Sequence, residues 1–161
     1  MKSLSKHMLY PADIFADRAP SIVSTVLGSC VSVCLHDPVL ELGSINHYIL
    51  PNWNGVDEAT MKYGNLSIVR ILGELLIFGS KFEHVVARVY GGAEVLRGMP
   101  TNFHIGSRNV QIAFAILNEF QIPVLSSDVG GTKGRKISFN TLTGEVEMDY
   151  IRYKDTRRMG S

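Results

Sequence analysis

Residues 31–50 read VSVCLHDPVLELGSINHYIL. Val31-Ser32-Val33-Cys34-Leu35-His36 alternates in the manner of a half-buried strand, and residues 43–50 read as its partner, stopped by Pro51. Asp37-Pro38-Val39-Leu40 between them supplies turn chemistry. An antiparallel hairpin is therefore the nucleus from which the fold is read. Before it, residues 8–15 and 21–26 read as short strands separated by Asp17-Arg18-Ala19-Pro20. After it comes a polar loop, 51–60, carrying Trp53. A helix is expected over 65–78, with Leu66, Val69, Leu72, Leu75 and Leu76 at helical spacing and Gly79 as its stop. Residues 84–90 read as a strand running into Gly91-Gly92. A second helix is expected over 109–120, with Val110, Ala113, Phe114 and Leu117 on one stripe and Ser107 as N-cap. Residues 122–129 read as a strand, and 136–140 with 145–150 as a hairpin through Thr143-Gly144.

Many short strands with two separated helices imply an α+β layered sandwich of mixed, largely antiparallel sheet. The strands do not alternate with helices as a doubly wound nucleotide fold requires. The 161 residues are expected to form one domain, with a core of about 8–150 and a basic tail over 151–161 that frays.

Composition narrows the function. Apolar residues make up 45% and charged residues 19%, enough for a packed core. A formal charge of +1 lacks the basic excess of a nucleic-acid binder. Asp13, Asp17 and Arg18 interrupt the start, so no secretory signal is read there, and no stretch reaches the length of a membrane helix. The expected location is the cytoplasm. The two cysteines, Cys30 and Cys34, are spaced C-x-x-x-C, unlike a redox or zinc pair. On a strand they would lie about 13 Å apart, too far for a disulfide. No metal site is expected.

A hydrolytic cysteine needs a base beside it. With Asp37 to Leu40 as a four-residue loop, His36 faces Glu41, Leu35 faces Leu42, Cys34 faces Gly43 and Val33 faces Ser44; Cys30 then faces His47. Directly opposed residues share a sheet face, and a slip of one residue would separate them. Gly28-Ser29 before Cys30 forms a tight approach whose backbone N–H groups could hold an oxyanion. Against this stands the plainer reading, since a cysteine in an apolar strand is also a small core hydrophobe. Cys34, between Val33 and Leu35, reads as core.

At these residues the chain resembles the chemoreceptor glutamine deamidase family, CheD. The likeness rests on Leu27-Gly28-Ser29-Cys30-Val31-Ser32-Val33-Cys34-Leu35, His47, Leu50-Pro51 and Lys62-Tyr63. It continues through Val89-Tyr90-Gly91-Gly92-Ala93, Ile105-Gly106, Arg108-Asn109, Asp128-Val129-Gly130-Gly131, Gly134-Arg135-Lys136 and Thr143-Gly144-Glu145-Val146. The resemblance implies that Cys30 attacks a receptor glutamine carboxamide, ammonia leaves, and water releases glutamate from a thioester. His47 matches the base. Ser24 stands at the place of the family's threonine, with Thr25 next to it as the alternative third member. No cofactor is implied. The implied partners are methyl-accepting chemotaxis receptors and a CheC-type phosphatase, with membrane contact only through the receptors. The same thioester would also serve methylesterase action. A rival reading makes the chain mainly a binding module for that phosphatase and the receptors.

Other features read as structural. Gly130-Gly131-Thr132-Lys133-Gly134-Arg135-Lys136 lacks the order of a phosphate-binding loop and reads as a connection between strands. Arg108-Asn109 reads as a helix cap, and Lys154, Arg157 and Arg158 as a solvated tail. His36, His84 and His104 read as structural or surface residues, and His7 as part of a mobile terminus.

Overall fold

The computed structural model describes residues 4–94 and 104–152. Among these residues nine strands form two sheets. One has five strands, β2 (Ile14–Ala16), β5 (Leu42–Asn46), β4 (Val31–Asp37), β6 (Val86–Gly91) and β7 (Val124–Val129), in that spatial order. The other orders β1 (Ser5–Met8), β3 (Ser21–Leu27), β8 (Arg135–Asn140) and β9 (Val146–Tyr150). Pairs β1–β3 and β6–β7 run parallel and the rest antiparallel, a mixed arrangement of the expected α+β class.

The layers follow from the alternation of side chains. On β4, Val31, Val33 and Leu35 point into an apolar cluster against the helices α1 (Gly64–Ile77) and α2 (Ile105–Glu119). Cys34, on the opposite face, joins Val23, Leu27, Ile45, Ile137 and Phe139 between the two sheets. Strand β4 is the middle strand of its sheet and every residue of it is buried, in keeping with the small and β-branched residues of its first half, Val31 to Cys34.

Several boundaries differ from the sequence reading. Residues 8–15 are two strands in different sheets, because the turn after Tyr10 puts Ala12 at positive φ (71°) and redirects the chain. Asp37 stays in β4, where its carboxylate accepts from the N–H groups of Val39 and Leu40, so the loop becomes residues 38–41 and Asp37 faces Leu42. The β4–β5 register is thereby moved by two residues, with Cys34 opposite Ile45. Helix α2 begins at Ile105 after an N-cap at His104, and Ser107 lies inside it. His7 is part of β1, its ring against Phe15. The basic residues Lys154, Arg157 and Arg158 lie outside the described residues.

Helix α1 buries Gly64, Ser67, Ile68, Ile71, Leu72 and Leu75, while Val69 and Leu76 of the expected stripe are exposed. Apolar residues occur all round this helix, so spacing alone admits two stripes. Polar contacts choose between them: Ser44 donates to the Ile71 carbonyl and Asn46 to Ser67 Oγ. Ile71→Ala is accordingly expected to lower stability by about 2–5 kcal/mol. Val69→Ala is expected to change it by less than about 0.5 kcal/mol. Urea denaturation of both variants measures the difference, and equal losses would contradict this orientation.

Candidate active site

The candidate nucleophile sits in the link between the two sheets. Strand β3 belongs to the four-stranded sheet and β4 to the five-stranded one, and residues 28–30 cross from one to the other. Three consecutive carbonyls of this crossing are tied. Gly28 O accepts from Ala93 N at 3.0 Å, and Cys30 O from Gly92 N at 2.9 Å. Ser29 O accepts from the Asn109 side-chain amide at 3.0 Å. Among the described residues the Ser29 N–H has no acceptor. The close approach depends on glycine at two points. Gly91 has φ +112°, and a Cβ there would collide with the Cys30 carbonyl. A Cβ on Gly106 would collide with the carbonyls of Gly92 and Ala93, which seat the first turn of α2.

His47 lies just beyond β5, where the β4–β5 ladder lapses and resumes only at the Val31–Tyr48 bridge. Its backbone turns the other way, its N–H to Asp13 O at 3.2 Å and its carbonyl to Ala12 N at 2.8 Å. In the observed register His47 falls opposite Ser32, not Cys30. A shift of two residues preserves parity; Cys30 borders the inter-sheet cluster and His47 reaches Thr25 on the facing sheet. No hydrogen bond joins Cys30 Sγ to His47 among the described residues. A general base often makes its proton-accepting contact only with substrate in place.

The third group, a hydroxyl, comes from β3. Its burial alternates, with Val23, Thr25 and Leu27 facing inward and Ser24 and Val26 outward. Thr25 Oγ1 lies 2.6 Å from His47 Nδ1, and Ser24 Oγ lies on Ser138 Oγ at 2.8 Å. Of the two hydroxyls weighed from the sequence, the structure therefore brings Thr25 to the imidazole and not Ser24. Thr25 also donates to the Leu9 carbonyl at 2.7 Å. A hydroxyl has one proton. With that proton on Leu9 O, Thr25 can only accept from His47, so the imidazole carries its proton on Nδ1 and keeps a lone pair on Nε2.

Burial sets the electrostatics. His47 is 2% exposed, and desolvation lowers its pKa to about 4 against a smaller opposing pull from Asp13. Burial also raises the Cys30 thiol, partly offset by its own backbone N–H. Both shifts favour the uncharged thiol and imidazole. Cys34 is fully buried, and burial holds it as a thiol. Among the described residues, no three His, Cys, Asp or Glu side chains gather as a metal site requires.

The glycine-rich loop after β7 flanks this region. Arg135 is buried and forms an ion pair with Asp128 at 2.8 Å, while also donating to Gly130 O at 2.9 Å. These residues, with Lys133 and Tyr150, line an open groove of about 590 Å³. Asn109, read from the sequence as a cap, instead reaches the crossing turn from inside α2. The signal that could have singled it out is a carboxamide on an apolar helix face. Among the described residues no helix is long and apolar enough to cross a membrane.

The family described as CheD, chemotactic sensory transduction, matches residues 49–150. Relatives extend the likeness over the rest of the site. A protein of Trichlorobacter lovleyi, named "Probable chemoreceptor glutamine deamidase CheD", is 43% identical over 89% of this chain and 89% of its own. One of Sulfurimonas denitrificans bearing the same name is 39% identical over 91% of this chain and 94% of its own. Another, of Rhodospirillum rubrum, is 36% identical over 99% and 90%. Matches of this extent necessarily span the segment from Thr25 to His47, since the uncovered part of the chain is shorter than the stretch before Thr25. The chain belongs to the CheD family.

Proposed function

We propose that this protein deamidates glutamine side chains of chemoreceptors, with Cys30 as nucleophile, His47 as general base and Thr25 as the residue that orients His47. The observation that carries the reading is the pair of Thr25 hydrogen bonds, which leaves His47 with an unprotonated Nε2. In the relatives named above, the printed activity is deamidation of chemoreceptor glutamine. The proposed place of action is the cytoplasm, at the membrane only through the receptors.

The steps follow from these groups. The glutamine carboxamide carbon is attacked by Cys30 Sγ as the thiol proton passes to His47 Nε2. The carbonyl oxygen becomes an oxyanion, for which the backbone N–H groups of the Gly28-Ser29 turn are the proposed donors; that of Ser29 has no acceptor among the described residues. The imidazolium returns its proton to the amide nitrogen, the C–N bond breaks, and ammonia departs from a thioester. Water, deprotonated by His47, attacks the thioester carbon; the C–S bond breaks and glutamate leaves with Cys30 again a thiol. Because burial disfavours both charges at rest, proton transfer accompanies attack and no standing ion pair precedes it. A glutamate methyl ester would form the same thioester with methanol as leaving group, so methylesterase action is part of the proposal.

The rival reading, a binding module for a CheC-type phosphatase and receptors with little catalysis, drew its force from Ser24 at the place of a threonine. Thr25 supplies the hydroxyl instead, which favours the enzyme.

Four outcomes test the reading. Cys30→Ala is expected to abolish conversion of receptor glutamine to glutamate, followed by mass spectrometry of receptor peptides, while the protein stays folded; undiminished conversion would remove Cys30 from the mechanism. Thr25→Val is expected to lower kcat by about 10- to 100-fold, the worth of one buried hydrogen bond. Ser24→Ala should stay within about twofold, and the reverse order would reassign the third residue. His47 must be neutral to act, and a pKa lowered to about 4 keeps it neutral well below the ordinary histidine range. The rate is therefore expected to hold as pH falls through about 6.5, the usual imidazole value, and to decline only toward pH 4. A raised thiol pKa likewise predicts slow alkylation of Cys30 by iodoacetamide at neutral pH, accelerating in alkali. An acid limb centred near the ordinary imidazole value, with fast neutral alkylation, would instead indicate a resting ion pair.

A further inference from the structure

We propose that Asn109 is a positioning residue for catalysis, whose side-chain amide sets the separation of Cys30 and His47; this rests on the reading of those two residues given above. Its Nδ2 donates to Ser29 O at 3.0 Å and to Ile49 O at 2.9 Å. Ser29 immediately precedes the nucleophile, and Ile49 follows His47 by two residues. The two hydrogens of one NH2 group thus bridge the segments that carry the two reacting side chains.

The bridge falls where the backbone offers little else. Between the Cys34–Ile45 pair and the Val31–Tyr48 bridge, the β4–β5 ladder is open. A side chain fills part of the gap, since Asn46 Oδ1 accepts from Val33 N at 2.7 Å. Asn109 closes the end nearest Cys30. Helix α2 holds it there through Gly106, one turn earlier on the same face, which rests on the Gly92 and Ala93 carbonyls. The Tyr48 hydroxyl donates to the Asn109 carbonyl from below.

Stability alone does not explain an asparagine at this position. It is fully buried, inside a helix where asparagine is unfavourable, and its Oδ1 is buried with no partner among the described residues. Turning the amide over would aim that oxygen at two carbonyl oxygens, so the orientation is forced. What the residue supplies is two donors at a fixed spacing, aimed at the main chain on either side of the site. Misplacement of a nucleophile and its base by as little as about 1 Å can cost about 100-fold in rate.

The test uses Asn109→Asp, which keeps the shape and removes the NH2 group. Asn109→Ser is a milder second variant, and Leu75→Ala is a core substitution on α1 away from the site. Deamidation of the purified receptor is followed, with each rate corrected for the folded fraction measured by circular dichroism. The expected result is a fall in kcat of at least tenfold for Asn109→Asp, with KM for receptor within about twofold, and a smaller fall for Asn109→Ser. Leu75→Ala should retain kcat per folded molecule. The proposal is overturned if the Asn109 variants keep wild-type kcat per folded molecule. It is equally overturned if they lose activity only in step with unfolding, as Leu75→Ala would, or if neither folds. Cys30→Ala run alongside separates the two levels: an active Cys30→Ala removes the reading of the nucleophile, whereas an inactive Cys30→Ala beside a fully active Asn109→Asp removes only the bridge.

Discussion

One threonine proton fixes the state of the imidazole beside it. Thr25 gives its hydrogen to the Leu9 carbonyl and offers its oxygen to His47 Nδ1. Because an imidazole has two nitrogens with opposite roles when neutral, fixing one fixes the other. A hydroxyl with its proton free could have donated to Nδ1 and produced the opposite tautomer, with Nε2 protonated and useless as a base. The tautomer therefore depends on a main-chain carbonyl at the end of an edge strand. That is the physical reason β1 and the turn after it belong to the site, although none of their side chains reacts.

The interaction also crosses between sheets. Thr25 is on β3 of the four-stranded sheet and His47 follows β5 of the five-stranded one. Cys30 lies on the crossing between them. Packing of Val23, Leu27, Cys34, Ile45, Ile137 and Phe139 brings these surfaces together, so the geometry of the trio is a property of the inter-sheet core.

Much of this was legible in the chain. The period-two runs around the Asp-Pro turn announce the hairpin, while the turn's extent, and with it the register, differs by two residues. Parity survives an even error, whereas direct opposition does not. The choice between Ser24 and Thr25 was also within reach: Val23 and Leu27 are the residues of that strand most in need of burial, and Thr25 shares their parity. Less could be read at long range. Nothing near residue 109 in sequence announces the carbonyls of residues 29 and 49, because that contact depends on how α2 settles against β6. The α1 stripe failed for another reason. Apolar residues line both sides of the helix, and Ser44 and Asn46 on a distant strand decide which side turns inward.

The burial that keeps Cys30 protonated bears on how the idle protein meets oxidants. Peroxide attacks sulfur chiefly as the anion, and conversion to sulfenic acid tracks anionic character and access. A half-covered thiol with a raised pKa is a slow target. In the proposed mechanism the thiolate forms only as an amide carbon arrives to receive it, so the resting site reacts slowly with peroxide.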